Sequence, residues 1–347
     1  MSWSDCKLGD VLTLKRGHDL PEQRRVAGTV PVVSSSGITG YHKEAKAQPP
    51  GVVTGRYGTL GEVYYIDQEY WPLNTALYVV DFKNTHPKFA SYFLRNALRN
   101  YQSDKAAVPG VDRKVLHELK VRVPDFPTQE AIALILSTYD DLIENNRHRM
   151  ALLEETARQL YREWFVCLRF PGHEHTHVVD GVPEGWEHVS TSAAIHINPT
   201  TRLSDEAEHW SVEMADLSTD SMVIQQAMKR EGRSGSKFMN GDTLFARITP
   251  CLENGKTAFV DFMEDGEVAR GSTEFIVLRA KKVTPEYVYC LARTYDFREN
   301  AIKSMIGSSG RQRVQVSCFE KYMVFVPPKT LLDIFEVPPK ISLPRVT

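Results

Sequence analysis

The strongest constraint on this chain is that one long pattern occurs twice, on either side of a helical segment that neither copy contains. The first copy opens with WSDCKLGDVLTLKRG at residues 3–17 and closes with VPGVDRKVLHELKVRVP at residues 108–124. The second opens with PEGWEHVSTSAAIHINP at residues 183–199 and closes with GSSGRQRVQVSCFEKYMVFVP at residues 307–327. Three pairs of identical residues align between the two copies, namely Arg56 with Arg247, Gly110 with Gly310, and Pro124 with Pro327. A repeat of this length indicates a duplicated domain and not a solenoid.

The segment between the copies, residues 128–165, predicts one long helix. Its apolar residues recur with heptad spacing, and no Gly or Pro interrupts them. With Ile132 at position a, the later a positions are Tyr139, Asn146, Leu153 and Leu160. Each a position is followed four residues later by another member of the stripe, namely Leu136, Ile143, Met150, Ala157 and Trp164, and Ile135 and Leu142 widen its first part. Such a sustained stripe is typical of a coiled coil or a long bundle helix, and at 1.5 Å per residue the helix is roughly 55 Å long. We expect Thr128 to be its N-cap, with Glu130 in the first turn.

This stripe cannot bury itself, so the helix needs a partner. We therefore predict a partner-binding surface made of Leu136, Ile143, Asn146, Met150, Leu153 and Leu160. A polar residue at a core position costs stability and fixes register, which is one interpretation of Asn146. The alternative is that Asn146 faces solvent at a bend in the helix.

The composition fits a protein of two or more domains. A chain of 347 residues exceeds the usual size of one domain, and its 42% hydrophobic and 25% charged residues are ordinary. No apolar run approaches the ~20 residues of a membrane span, and the first residues do not form a signal peptide. We therefore expect a cytoplasmic protein. The five cysteines lack the CxxC spacing of a zinc site and predict no disulfide framework.

Basic residues cluster locally although the net charge is −2, which is unusual for a nucleic-acid-binding protein. The clusters lie at residues 15–25 in the first copy, and at residues 229–237 and 293–313 in the second. Solvated loops would explain any single cluster. Clusters in both copies, in segments where Gly lets the backbone approach a ligand, favour contact with phosphates.

No motif in the sequence predicts catalysis. PGHEHTH at residues 171–177 is not HExxH, and a polar linker explains it more simply. NPT at residues 198–200 lacks the aromatic residue with which an amino-methyltransferase stacks a flipped base. Asp140 and Asp141 are adjacent on a helix and so point apart. We expect a non-catalytic protein without a metal site or a cofactor of its own.

The helical segment and three short motifs resemble the specificity (S) subunit of type I restriction-modification systems, over nearly the whole chain. The motifs are SSGITGY at residues 35–41, GRYGTLGEV at 55–63 and NTALYV at 74–79. The matching helix residues are Pro127, Gln129, Glu130, Ile132, Leu136, Asp140, Ile143, Asn146, Leu153, Leu160 and Phe165. The resemblance implies two target recognition domains, each of which reads one half of a split DNA site in the major groove. It also implies two antiparallel spacer helices, on which methyltransferase subunits dock and through which a motor-nuclease subunit joins the assembly.

The expected fold is α+β, with two similar target recognition domains joined by a long coiled-coil-type helix. The expected segments are residues 1–124 for the first domain, 125–167 for the helix, 168–182 for a linker, 183–328 for the second domain and 329–347 for a truncated remnant of the second helix. Prolines at positions 338, 339 and 344 do not fit a long helix. A methyltransferase subunit, a second copy of this chain or a separate half-subunit would then supply the missing helix.

The resemblance implies a DNA-recognition subunit whose partners are double-stranded DNA, methyltransferase subunits and a motor-nuclease subunit. S-adenosylmethionine, ATP and Mg are expected on those partners and not on this chain. The alternative is a truncated interaction protein, which binds partner subunits through its helix without specific DNA recognition. The candidate DNA-binding residues are Arg16, Arg24, Arg25, Thr39, Tyr41, Arg56, Tyr57, Lys105 and Arg113 in the first copy and Lys229, Arg230, Arg233, Lys237, Arg247, Arg311 and Arg313 in the second.

The equivalent arginines Arg56 and Arg247 have two interpretations. Arginine contacts to guanine O6 and N7 are the commonest specific base contacts, so both could read sequence. Alternatively, each could pair with a carboxylate and hold its domain together. The spacing alone does not decide between these roles.

Overall fold

The computed structural model describes residues 2–56, 61–99, 112–308 and 310–335. The chain divides into two compact units, Met1–Asn146 and Arg147–Thr347. Each unit contains one copy of the sequence repeat, and the boundary between the units falls within a long helix. No helix in the described ranges is both long and apolar enough to cross a membrane, and no group of acidic, His or Cys side chains in those ranges could hold a metal ion.

The first unit mixes strands and helices around two sheets. Its elements are β1 (Trp3–Lys7), α1 (Leu8–Val11), β2 (Thr13–Arg16), β3 (Val30–Ser34), β4 (Gly37–His42), β5 (Gly51–Gly55), β6 (Val63–Ile66), β7 (Trp71–Pro72), β8 (Ala76–Asp81), α2 (Pro87–Arg99), α3 (Arg113–His117), β9 (Lys120–Pro124) and the start of α4 (Phe126–Tyr161). One sheet has the order β2-β8-β5-β6, another has β4-β3-β7, and β1 pairs with β9.

The core of the first unit is mainly aliphatic. Every residue of β5 is buried, as expected of a strand with neighbours on both sides. Helix α2 contributes Ala90, Leu94 and Leu98, whose spacing of four residues places them on one helix face. They pack with Leu8, Leu12, Leu14, Val52, Val63, Leu77, Val79 and Leu116 in one cluster.

The second unit contains the end of α4, a π-helical turn (Arg162–Val166) and its own set of elements. These are β10 (Val178–Val179), β11 (Val182–Pro183), β12 (Glu187–Ser190), α5 (Thr191–Ala194), β13 (Ile195–Ile197), β14 (Glu208–Val212), β15 (Met228–Glu231), β16 (Ser236–Phe238), β17 (Thr243–Ala246), β18 (Thr257–Phe259), β19 (Ala269–Gly271), β20 (Phe275–Ala280), α6 (Pro285–Arg293), α7 (Tyr295–Lys303), α8 (Cys318–Lys321), β21 (Met323–Val326) and α9 (Lys329–Phe335).

The second unit repeats the strand order of the first. Its sheet β13-β20-β17-β18 corresponds to β2-β8-β5-β6, and its pair β12 with β21 corresponds to β1 with β9. Its third sheet, β15-β14-β19-β16, corresponds to β4-β3-β7, and an isolated antiparallel bridge between Ala47 and Tyr70 takes the place of β16 in the first unit. In both units this sheet contains one parallel pair, β3 with β7 and β14 with β19. The repeat in the sequence is therefore matched by a repeat in topology, and the fold class is α+β as predicted.

Two of the three residue pairs noted in the sequence occupy equivalent positions. The N–H of Arg56, just after β5, donates to the carbonyl of Thr75, 3.0 Å away. The N–H of Arg247, just after β17, donates to the carbonyl of Glu274 at 3.0 Å. Pro124 ends β9, and Pro327 directly follows β21. Gly110 lies outside the described residues, so its pairing with Gly310 stays a prediction.

The long helix α4 begins one turn earlier than predicted. The carboxylate of Asp125 accepts a hydrogen bond from the N–H of Thr128, 3.1 Å away, and caps the helix. The prediction of Thr128 as the N-cap was therefore wrong, because α4 begins at Phe126 and Thr128 lies within its first turn. This hydrogen bond and those from Ser2 hold the pKa of Asp125 well below its usual range. Pro127 fits the first turn, where no intrahelical acceptor needs its missing N–H.

The ends of α4 are packed, while side chains along its middle are exposed. In the first unit Ile132 and Ala133 pack beside Phe89 and Val123; in the second, Ala157, Leu160 and Trp164 pack against the core of that unit. The predicted stripe is exposed at Leu136 (38%), Tyr139 (60%), Ile143 (48%) and Leu153 (41%), and at Asn146. A coiled coil needs a second helix along such a stripe, so a coiled coil remains a prediction.

Helix α9 follows β21 as α4 follows β9. Its Leu331, Leu332 and Phe335 are buried in the core of the second unit, and the rings of Phe335 and Phe165 lie 5.0 Å apart. The predicted truncated remnant continues into residues 336–347, which lie outside the described residues.

Candidate nucleic-acid interface

An exposed edge strand of the first unit gathers three of the predicted DNA-binding residues. Strand β4 is the outer strand of its sheet, and it exposes Ile38, Thr39 and Tyr41. The guanidinium of Arg25 lies along it, with Nη1 donating to the carbonyl of Thr39 at 2.8 Å. A Cβ at Gly40 would lie 2.8 Å from Nη1 of Arg25, so glycine makes room for this contact. Arg25, Thr39 and Tyr41 thus form one polar and aromatic surface.

Two more predicted arginines lie at one end of the sheet β2-β8-β5-β6. The Nε of Arg16, at the end of β2, donates to the carbonyl of Asn74 at 3.2 Å. The backbone N–H of Arg56 donates to the carbonyl of Thr75, the residue that follows Asn74. His18 lies beside this segment, and its Nε2 is 3.4 Å from the hydroxyl of Tyr78. Burial, followed by the nearby charges of Lys15 and Lys46, lowers the pKa of His18, which favours a neutral imidazole at pH 7.

The remaining predictions for the first unit are more scattered. Arg24 is exposed in a short 3₁₀ turn (Glu22–Arg24), next to Arg25. Arg113 is exposed at the start of α3, on a separate element. Tyr57 and Lys105 lie outside the described residues, so their proposed role stays a prediction.

The equivalent edge strand in the second unit is basic. Strand β15 exposes all four of its residues, and the ammonium of Lys229 lies 5.4 Å from the ring centre of Trp210. The Nη1 of Arg230 lies 3.5 Å from the carboxylate of Glu213. On the next strand but one, Nη2 of Arg270 donates to the carbonyl of Glu231 at 2.6 Å. The sequence analysis missed Arg270, because only the sheet brings it beside β15.

Two other predicted cations are already engaged within the second unit. Arg233 lies 3.5 Å from the carboxylate of Asp205 and donates to the carbonyl of Leu203 at 3.3 Å. Lys237, on the outer strand β16, donates to the carbonyl of Gly235 at 2.6 Å. The ion pair of Arg233 with Asp205 is exposed, and exposed pairs contribute little to stability.

A second group of arginines forms around a carboxylate that the sequence analysis did not single out. Arg313 donates to Glu274 through two nitrogens: Nε lies 2.9 Å from Oε1 and 3.0 Å from Oε2, and Nη2 lies 2.6 Å from Oε1. The carbonyl of Arg247 accepts from the N–H of Val314 at 2.9 Å, which places Arg247 beside this pair. The hydrogen bonds from Arg313, and then the charges of Arg313 and Arg247, hold the pKa of Glu274 below its usual range. Arg311 is exposed in the same segment.

This geometry bears on the two interpretations of Arg247. Its Nη2 donates weakly to the carbonyl of Val314 at 3.4 Å, and its solvent-shielded Nε finds no acceptor among the described residues. The carboxylate beside it, Glu274, is bonded to Arg313 instead. A structural ion pair therefore occurs here, but its arginine is Arg313.

A buried carboxylate, Glu154, attaches the end of α4 to the second unit. Only 7% of Glu154 is exposed. Its Oε1 accepts from the hydroxyl of Tyr289 at 2.6 Å, and its Oε2 accepts from the N–H of Met222 at 2.9 Å. Among the predicted partner-binding residues, Met150 and Leu160 are half-buried in this unit and Leu153 is more exposed. Sequence reasoning missed Glu154, because a glutamate on a charged helix gives no sign of burial.

Side chains of these two kinds suit nucleic acid in two chemically distinct ways. Exposed lysines and arginines on an edge strand suit phosphates, which carry no sequence information directly. A guanidinium held in a fixed orientation suits the two acceptors of guanine. Each unit combines an exposed edge strand with arginines at the end of its four-stranded sheet.

The chain is similar to known proteins over part of its length. Residues 2–155 match the family described as type I restriction modification DNA specificity domain. The type I restriction enzyme EcoEI specificity subunit of Escherichia coli is 33% identical over 156 residues, which cover 43% of this chain and 26% of that protein. The MjaIX specificity subunit of Methanocaldococcus jannaschii is 20% identical over 254 residues, covering 67% of this chain and 56% of the relative.

A solved structure shares the fold. The crystal structure of a type I restriction-modification system S subunit from M. genitalium aligns over 96% of this chain and 87% of that one, with a TM-score of 0.56 and 14% identity. At that identity the likeness concerns the fold alone. The chain spans 26% of the length of each of two E. coli specificity subunits that it matches.

Proposed function

We propose that this chain is a specificity subunit of a type I restriction-modification system, which its match to the DNA specificity domain at residues 2–155 supports, and that it recognises a bipartite sequence in double-stranded DNA. Each unit reads one half of the site. The chain itself is non-catalytic, and it directs the methylation of adenines by partner subunits.

The observation that carries this proposal is the repeated topology with a repeated exposed surface. Strands β4 and β15 are equivalent edge strands, and both expose side chains to solvent. Two similar domains in one chain suit a site with two halves, in the way that two-fold symmetric proteins suit palindromic sites. Because the side chains on the two edges differ, the two halves of the site would differ as well.

The partner proposal rests on the exposed stripe of α4. We propose that methyltransferase subunits dock on this stripe, and that a motor-nuclease subunit joins the assembly through them. Leu136 and Ile143 are large, apolar and exposed, and burial of each such side chain contributes roughly 1.5–3 kcal/mol. S-adenosylmethionine, ATP and Mg belong to those partners. A second copy of this chain or a separate half-subunit could pair with the same stripe.

A second candidate is an interaction protein that binds partner subunits without recognising a DNA sequence. The observation that favours it is the extent of the family match, which ends at residue 155 and leaves most of the second unit outside. In that case the stripe of α4 would bind partner subunits, and the second unit would not recognise a DNA sequence.

One experiment tests these proposals together. Methylated adenines are mapped across the genome of cells that carry the partner subunits, with and without this chain. We expect a split motif that depends on the chain. Exchange of residues 5–122 for the same segment of another family member should then change only one half of that motif. If both halves change, or neither does, the assignment of one unit to one half-site is wrong; if no motif depends on the chain, the interaction protein is favoured.

A second arm of the mapping tests docking. Leu136→Asp places a charge on the stripe and should abolish chain-dependent methylation, together with copurification of the methyltransferase subunits. Leu134→Asp is the matched control, because Leu134 is 68% exposed and lies off the stripe. Docking on the stripe is contradicted if Leu136→Asp behaves like Leu134→Asp.

A further inference from the structure

The pair of Arg313 and Glu274 has a geometry that leaves one edge of the guanidinium available. Nη2 of Arg313 donates to Oε1 of Glu274, and Nε donates to both Oε1 and Oε2, so the carboxylate occupies the side edge of the guanidinium with both oxygens. A guanidinium has five N–H donors in a rigid fork. The end-on edge, formed by Nη1 and the outer hydrogen of Nη2, is therefore not used by Glu274, and no described residue accepts a hydrogen bond from Nη1. The side chain of Arg313 is 46% exposed.

The position of this pair is fixed from both sides by backbone bonds. The N–H of Arg313 donates to the carbonyl of Ile306 at 3.0 Å, and the N–H of Ile306 donates to the carbonyl of Arg313 at 3.1 Å. Glu274 immediately precedes β20, and its carbonyl accepts from the N–H of Arg247. An arginine whose backbone and guanidinium are both held loses little entropy when it binds a planar partner.

The two units differ at this position. Residue 75, which precedes β8, is Thr in the first unit, whereas the equivalent residue 274 is Glu in the second. The same backbone hydrogen bond occurs in both units. The N–H of Arg56 donates to the carbonyl of Thr75, and the N–H of Arg247 donates to the carbonyl of Glu274. Shared residues at equivalent positions maintain a shared fold, so a carboxylate found in one unit only is a candidate for chemistry specific to that unit.

The carboxylate also changes what Arg313 can do on DNA. Glu274 neutralises its charge locally, which weakens the general attraction to phosphates. A held fork with two free parallel N–H groups still matches O6 and N7 of guanine in the major groove. Base reading therefore suits this pair better than phosphate contact does, whereas Lys229 and Arg230 on the edge strand suit phosphates.

We propose that Arg313, oriented by Glu274, reads a guanine in the half-site of the second unit. Arg313 is the residue that contacts the base, and Glu274 is a positioning residue. The inference rests on the proposed function, because it assigns one base pair within the site proposed above.

The test uses the assembled complex and the motif found by the mapping experiment. The half that does not change on exchange of residues 5–122 belongs to the second unit. Competition binding with duplexes that carry each single base-pair substitution in that half measures discrimination. In Arg313→Lys the charge remains but the fork is lost, so discrimination at one G·C pair should fall on the order of ten- to hundredfold. The other half of the motif should be read as before.

Glu274→Gln distinguishes positioning from a merely structural role. The amide offers one acceptor oxygen to Arg313, so discrimination at the same base pair should fall less than in Arg313→Lys. Removal of a negative charge should at the same time raise the affinity for every sequence. A purely structural pair would change thermal stability without changing base preference.

Arg169 provides the matched control. It makes a bidentate pair of similar geometry with Glu163, at 2.6 and 2.7 Å, beside the π-helical turn of the same unit. Arg169→Lys should leave discrimination unchanged at every base pair.

Two results would overturn the inference. In one, Arg313→Lys retains full discrimination throughout the half-site. In the other, affinity falls equally for all duplexes and the salt slope drops by about one, which is the signature of a phosphate contact. If Arg313→Lys does not fold, Glu274→Gln decides alone, and unchanged discrimination in that variant overturns the inference. Absence of any chain-dependent motif in the unmodified complex counts against the proposed function instead.

Discussion

The two units share a strand order and differ in what they expose. Strand β4 presents Ile38, Thr39 and Tyr41, whereas its equivalent β15 presents Lys229 and Arg230. Each of these edge strands is held in its sheet by backbone hydrogen bonds to one neighbour, whichever side chains it carries. One fold can therefore carry two different surfaces on equivalent edge strands.

The cores differ as well. The main cluster of the first unit is formed by leucine, valine and alanine side chains. In the main cluster of the second unit many aromatic rings join the aliphatic side chains, and Phe297 stacks on Phe319 with ring centres 5.0 Å apart. The same topology is thus packed in two ways, as is known for cores that conserve volume and pattern.

The largest expected effect is a fall in the stability of one unit while the stability of the other is unchanged. Phe297→Ala should destabilise the second unit by about 3–5 kcal/mol, because Phe297 is fully buried. Leu94→Ala is its counterpart in the first unit and should cost about 2–5 kcal/mol there. Hydrogen exchange measured through a urea titration should show early loss of protection in the mutated unit only. Simultaneous loss in both units would mean that they unfold as one cooperative block.

A smaller difference in stability is expected between substitutions of two carboxylates on α4, one in each unit. Glu154→Ala leaves the hydroxyl of Tyr289 and the N–H of Met222 without their acceptor, which should cost on the order of 2–4 kcal/mol. Asp140 accepts from the hydroxyl of Tyr92 at 2.7 Å in the first unit but is exposed. Asp140→Ala should therefore cost no more than about 1 kcal/mol. Urea midpoints of the two variants decide the comparison, and equal midpoints would show that burial of Glu154 does not matter.

The smallest expected effect is a pH dependence of stability that arises from Glu274 in the second unit. The pKa of Glu274 is lowered in the folded state by Arg313, so its pairing adds stability above the ordinary carboxyl pKa of 4.5. That stability should be lost as the pH falls through the lowered pKa. Because Arg313 is half exposed, we expect less than about 1 kcal/mol. Thermal midpoints from pH 6 to pH 3, roughly the range in which a carboxyl titrates, should fall less in Glu274→Gln than in the unmodified chain. Parallel curves would contradict the prediction.

Much of the fold follows from local signals in the sequence. Heptad spacing without Gly or Pro predicted α4. The alignment of Arg56 with Arg247 in the two copies of the repeat predicted that both follow equivalent strands. The start of α4 was predicted wrongly because Asp125 and Thr128 are both good N-cap residues, and only the structure shows which of them accepts the bond.

The candidate site could be predicted only in part. Arg313 was singled out by its basic neighbours, but Glu274 lies 39 residues away in sequence, and no local pattern links the two. Glu154 is separated from Tyr289 by 135 residues. Contacts over such distances are created by the topology, so no pattern within a short window reveals them.

The antiparallel pairing of β1 with β9, and of β12 with β21, has a consequence for how the gene can change. Trp3 lies opposite Pro124, and Glu187 lies opposite Val326, so the chain enters and leaves each sheet assembly at neighbouring points. Residues inserted or deleted between these points need not displace the segments outside them. Each unit can therefore gain or lose length through mutation while the helix that follows it keeps its starting point.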